Sequence, residues 1–176
     1  MTIEVHPIDL KSLPFEPGTN QPTERIFIQS LPDEHMIADG ESGPFDWIDL
    51  RDVQGDLSRL IDAEQRVLEA AEATLVLSYP LEVAATRRIR PSDDRVFKRG
   101  ELVKMIDETY REVYRREAST QSTPTPPKEH RGRLLNRPES DGLCGISGHD
   151  LEDLGIESID VYRIDDHVWL DLNVCS

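Results

Sequence analysis

Residues 99–117 read RGELVKMIDETYREVYRRE, and the rest of the chain is best read outward from them. Leu102, Val103, Ile106, Tyr110, Val113 and Tyr114 recur at spacings of one, three and four, which gathers them on one face of an α-helix. The other side pairs Lys104 with Glu108, Asp107 with Arg111 and Glu112 with Arg116, each one turn apart and opposite in sign. Such pairs contribute ~0.2–0.5 kcal/mol each and mark a solvated face rather than a catalytic one.

Before this helix, residues 53–72 repeat the pattern more weakly: Val53, Leu57, Leu60, Ile61, Val67, Leu68 and Ala71 form a second stripe, with Gly55 weakening its first turn. Residues 74–81, TLVLSYPL, read as an apolar strand ending at Pro80, and residues 82–91 as a less regular strand returning beside it. After the helix, residues 118–127, ASTQSTPTPP, have a linker composition, and residues 128–143 are polar, with Leu134 and Leu135 as their apolar anchor. Residues 149–154 read as one helical turn started by Ser147 and Asp150 and closed by Gly155. A hairpin follows, with strands at 156–163 and 167–174 and a turn at Asp165-Asp166. In its second strand Val168, Leu170, Leu172 and Val174 alternate with Trp169, Asp171 and Asn173, so that one face is core and the other is open to water.

Residues 1–50 hold six prolines, ten acids and only Lys11 and Arg25 as bases, the composition of an extended acidic arm, inside which Arg25 to Gln29, RIFIQ, read as one short strand. Phe45, Trp47 and Ile48 sit in a polar setting there, either stapling the arm to its own domain or docking it on a neighbour. The fold expected is therefore α+β: a small antiparallel sheet (74–81, 156–163 and 167–174) on two amphipathic helices (53–72 and 100–117), preceded by an extended proline-rich arm. In domain terms, the arm covers 1–50 and one α+β domain covers 51–176, interrupted by a polar linker at 118–133.

A net charge of −15 in 176 residues disfavours nucleic acid and anionic membrane as partners, since both are polyanions bound through Lys and Arg. The opening residues carry no basic, apolar leader, and no apolar run reaches membrane-spanning length, so a soluble protein is expected. Two cysteines are too few for a disulfide scaffold and suit a reducing, intracellular setting. The basic cluster Arg87, Arg88, Arg90, Arg95, Lys98 and Arg99, diluted by Asp93 and Asp94, is read as an acid-accepting patch.

For chemistry, Cys144, His149 and Asp150 in CGISGHD supply the residue types of a thiol nucleophile, its base and an orienting acid. Their closeness in one short loop argues against catalysis, because such partners normally meet across a fold. A zinc site from Cys144, His149, Cys175 and His130 lacks the usual ligand spacing, and the adjacent acids Glu152-Asp153 and Asp165-Asp166 read as solvated turn residues. Phosphate-loop, dinucleotide-binding and zinc-protease signatures are absent from the sequence, so no cofactor is expected. The leading expectation is a non-catalytic structural or interaction subunit whose acidic arm docks on a protein partner or a second copy. The alternatives are an acidic mimic of nucleic acid and a cysteine-dependent enzyme using Cys144 and His149.

Overall fold

In the computed structural model, which describes residues 3–93, 95–132 and 136–176, the chain builds a seven-stranded sheet with one long helix against it. The strands are β1 (His6–Ile8), β2 (Glu24–Phe27), β3 (Ile48–Asp49), β4 (Arg66–Glu69), β5 (Ala73–Leu77), β6 (Ala84–Ile89), β7 (Val96–Lys98), β8 (Gly155–Ile164) and β9 (His167–Cys175). The helices are α1 (Glu34–Ala38), α2 (Val53–Asp56) and α3 (Arg99–Thr120). The main sheet runs β1-β6-β5-β9-β8-β2, with β3 also on β8, while β4 and β7 form a separate ribbon. Every pairing is antiparallel except that of β5 with β9, which is parallel.

This corrects the expected fold at three points. The sheet is large and mixed rather than small and antiparallel: the strands at 74–81, 156–163 and 167–174 are only its centre. The helix expected at 53–72 does not form. Its stripe is buried piecemeal, by the four-residue α2, by a turn in which Asp62 takes a φ of +54°, and by β4 on β7. A left-handed residue inside the stripe is incompatible with a continuing helix. Residues 1–50 are no outlying arm either, because β1, β2 and β3 all join the main sheet and Val5, Ile26, Ile28, Ile48 and Leu50 enter the core. Their prolines fall between strands, save Pro7, which lies on the edge strand β1 where a missing N–H is tolerated.

α3 supplies the inner wall of the core. Leu102, Val103, Ile106, Tyr110 and Val113 are buried against Leu75, Leu77, Ile159, Val161, Leu170 and other inward residues of the sheet. Two of the expected surface pairs form, Asp107 with Arg111 and Glu112 with Arg116, both at 2.9 Å, while Glu108 turns to Arg87 instead. The Asp107 pair is not a solvated one: Asp107 is buried, and Arg111 Nη2 donates to the Leu50 carbonyl at 3.2 Å. The β8–β9 turn uses Asp165 and Asp166 at φ +48° and +60°, the double positive-φ geometry that fits the twist of a two-residue hairpin.

On the outer face of the sheet, residues 10–16 fold back so that Leu13 and Phe15 cover Val76, Tyr162 and part of Trp169. Phe15 stacks on Tyr162 with ring centroids 4.1 Å apart. The face that alternation assigned to water is thus partly covered, and that cover positions the site described below. Leu134, Leu135 and Asp94 lie outside the described residues. Among the described residues, no helix is long and apolar enough to cross a membrane.

Candidate functional site

The CGISGHD loop is built around a carboxylate on α3. Glu117 lies one turn beyond Val113 on the buried face and is itself fully buried. It accepts hydrogen bonds from Ser140 Oγ at 2.5 Å, Gly142 N at 2.9 Å and Cys144 N at 2.7 Å. Burial alone would raise its pKa, but these bonds outweigh that effect and hold the carboxyl below its ordinary range. The sequence did carry a signal for this role, an acid standing where the apolar stripe of α3 calls for a hydrophobe.

The loop does not assemble a thiol catalyst. Cys144 is 1% exposed, and burial, reinforced by the nearby Glu117 carboxylate, pushes its thiol up to about 11. A nucleophilic cysteine needs the opposite shift. His149 faces elsewhere: its ring lies beside Tyr79 with centroids 5.6 Å apart, and its Nε2 is 3.5 Å from Ser176 Oγ. Asp150 accepts from Arg131, and from Arg137 Nη1 at 3.1 Å, in a nearly buried Arg–Asp–Arg cluster, with the Arg137 guanidinium 5.3 Å from the Tyr114 ring centre. Burial would raise this carboxyl too, but the two arginines keep it below the usual range. The three residue types therefore serve three separate contacts. Among the described residues, no three His, Cys, Asp or Glu side chains converge as metal ligands. Glu152 and Asp153 pair with Lys128 at 3.1 and 2.8 Å.

The basic cluster is dispersed over the chain's own acids. Arg87 reaches Glu108 at 3.4 Å and also donates to Thr109 Oγ1 and the Met105 carbonyl. Arg88 and Arg90 approach Glu72 at 3.7 and 2.9 Å, Lys98 meets Glu64 at 2.7 Å, and Arg99 meets Asp62 at 3.8 Å. Arg95 contributes its carbonyl, which accepts from Ala70 N at 2.8 Å. Of the three docking candidates, Ile48 is fully buried in β3, whereas Phe45 and Trp47 are half-buried with ring centroids 5.8 Å apart.

The outer face of the sheet holds what sequence reading missed. Across the strands, Arg25, Asp160, Asp171, Val76 and Thr86 are successive register neighbours. Arg25 grips Asp160 through Nε at 2.5 Å and Nη2 at 2.9 Å. Among the described residues Asp171 has no such partner: it is 6% exposed, and its Oδ1 is buried without a hydrogen bond. Burial, with the Asp160 charge in support, pushes its pKa up to about 6. Alongside, where the Leu13–Phe15 cover stops, a cavity of about 850 Å³ opens over β5, β6 and β9. Thr74, Thr86, Arg88, His167 and Trp169 line it, with His6 on β1 at its side. His167 Nε2 lies 2.8 Å from Thr74 Oγ1, and the His167 ring stands edge-on to Trp169 at 4.9 Å. This volume lies in the range of small-ligand pockets. Strand pairing brings these residues together, and neighbours in a sheet 80 or more positions apart in the chain, such as Thr74 and Trp169, leave no local trace in sequence.

No protein-family model matches the chain, and no match is found among the curated proteins or the solved structures.

Proposed function

We propose that the protein is a non-catalytic interaction subunit that meets a neighbouring chain along the outer edge of β2. The observation that carries this reading is Phe27, which is 61% exposed on the last strand of the main sheet. An edge strand offers unpaired backbone groups, and a large exposed aromatic beside them is the usual companion of a contact surface. Leu31 and Ile37, from the same N-terminal segment, are 51% and 59% exposed. The ten acids of residues 1–50 favour a basic surface on the neighbour. The acidic-mimic alternative has less support, because Asp107, Glu117, Asp160 and Asp171 are buried within the fold rather than displayed in rows.

Size-exclusion chromatography with light scattering tests the self-associating form of this reading. The full chain should exceed the mass of one copy as concentration rises. Phe27→Asp should return it to a monomer with an unchanged melting temperature. A chain that stays monomeric throughout, or a Phe27→Asp variant that assembles as the parent does, would count against the β2 edge.

A further inference from the structure

Residues 9–22 cross the outer face of the sheet as a strap between β1 and β2. Leu13 and Phe15 are buried on Val76 and Tyr162, while the charged residues of the strap, Asp9, Lys11 and Glu16, are exposed. Among the described residues one hydrogen bond ties the strap to the sheet, from Tyr162 Oη to the Asn20 carbonyl at 3.2 Å. Its other bonds are internal, such as Lys11 N to Asp9 Oδ1 at 2.9 Å and Asn20 N to the Glu16 carbonyl at 3.0 Å. A segment held this way can open locally without disturbing the strands beneath it.

Asp171 lies at the edge of this strap. Val76 is its register neighbour on β5, Trp169 stands two residues along β9, and Tyr162 is opposite Trp169 on β8. All three belong to the cluster that Leu13 and Phe15 close. On the remaining side is Asp160, already gripped by Arg25 from β2. The other bases on this face are engaged elsewhere: His167 on β9 meets Thr74 Oγ1 at 2.8 Å, and Arg88 on β6 approaches Glu72 at 3.7 Å. On the strap, Lys11 is outnumbered by Asp9 and Glu16. Once ionised, Asp171 is therefore a buried carboxylate beside a second one, with its Oδ1 unpartnered among the described residues. Lifting the strap relieves that cost by letting water reach the charge.

We propose that residues 9–22 are a pH-operated strap, closed over the outer face while Asp171 holds a proton and loosened when that proton is lost, which uncovers Val76, Tyr162 and Trp169. Burial first, and Asp160 second, raise the Asp171 pKa from 3.8 to about 6 in the closed state. The closed state thus binds the proton more tightly than the open one, and opening grows as pH rises between those values. Full ionisation multiplies the open fraction about 100-fold.

Modification of Val76→Cys by a methanethiosulfonate reagent reads this opening, because Val76 is buried beneath the strap, while the buried Cys144 of the same chain reads global unfolding. At pH 7.5 the introduced thiol should react about 100-fold faster than in the same chain carrying Asp171→Asn, and at pH 5 only about 10-fold faster. It should also react well ahead of Cys144. Trypsin cleavage after Lys11, in chains that keep Val76, should be faster with Asp171 than with Asp171→Asn at pH 7.5, which frees the test from the cysteine substitution. Equal rates with and without Asp171→Asn in either assay would overturn the proposal, as would an introduced thiol that reacts no faster than Cys144.

Discussion

Replacing Asp171 by Asn should stabilise the protein at neutral pH and do almost nothing in mild acid. Asp171 is buried opposite Asp160, which Arg25 grips, and among the described residues its own Oδ1 has no hydrogen-bond partner. Its pKa rises from 3.8 to about 6, first through desolvation and second through Asp160. The folded state therefore holds a proton that the unfolded chain releases, and stability must fall as pH rises between those two values. A shift of about two units corresponds to ~3 kcal/mol, present as a penalty in the ionised state at neutral pH. Asn cannot ionise, is nearly the same shape, and resembles the protonated acid. Urea unfolding of both proteins at about pH 4 and about pH 7.5 should give near-equal stabilities at the first and an advantage of ~2–3 kcal/mol for Asn at the second. Parallel pH profiles for the two proteins, or an Asn variant weaker at neutral pH, would refute this account of the outer face.

Three further outcomes follow from the Glu117 loop. Glu117→Ala removes the acceptor for Ser140, Gly142 and Cys144 and should cost ~3–5 kcal/mol in denaturant unfolding. Because the folded Glu117 carboxyl titrates below its ordinary 4.5, its contribution is fully present above that value and is lost as pH falls through the lower folded pKa. Gly142→Ala should be damaging for a related reason, since a Cβ there would stand 2.6 Å from the Glu117 carboxyl and 2.7 Å from its carbonyl oxygen. Cys144 should resist iodoacetamide at neutral pH in the native protein, react once urea unfolds it, and be indifferent to His149→Ala. Fast native alkylation that slows in His149→Ala would restore the thiol chemistry rejected above.

What could be read in the sequence was whatever repeats locally. The stripe of α3 and the alternation of β9 each bury one face of a single element, so periodicity alone locates them. The Asp165-Asp166 turn was legible because the hairpin it joins is continuous in sequence. Residues 53–72 misled because Val53, Leu57 and Leu60 are all buried or half-buried, yet a short helix, a turn and a distant strand partner accomplish this, not one helix. β2 was legible as a short apolar strand over residues 25–29, whereas β1 and β3, of three and two residues, are too short for a pattern, and all three depend on β6 and β8 far along the chain. The outer face was hidden for the same reason. Asp171 reads as an outward polar residue until Leu13 and Phe15 are known to lie over its neighbours, and the Trp169–Thr74–Arg88 row exists only once three strands are in register.

The position of β9 between β5 and β8 also sets the order in which the molecule can be completed during synthesis. β2 and β3 find their partner in β8, and β5 finds its second neighbour in β9, yet that hairpin follows every other strand in the chain. A nascent chain that has emerged only as far as α3 holds β2, β3 and one side of β5 unmatched, with the apolar face of the helix still open. Pairings of such long sequence separation form slowly, and unpaired strands are the surfaces through which growing chains aggregate. Until the hairpin inserts, β2, β3 and one side of β5 stay without their partners.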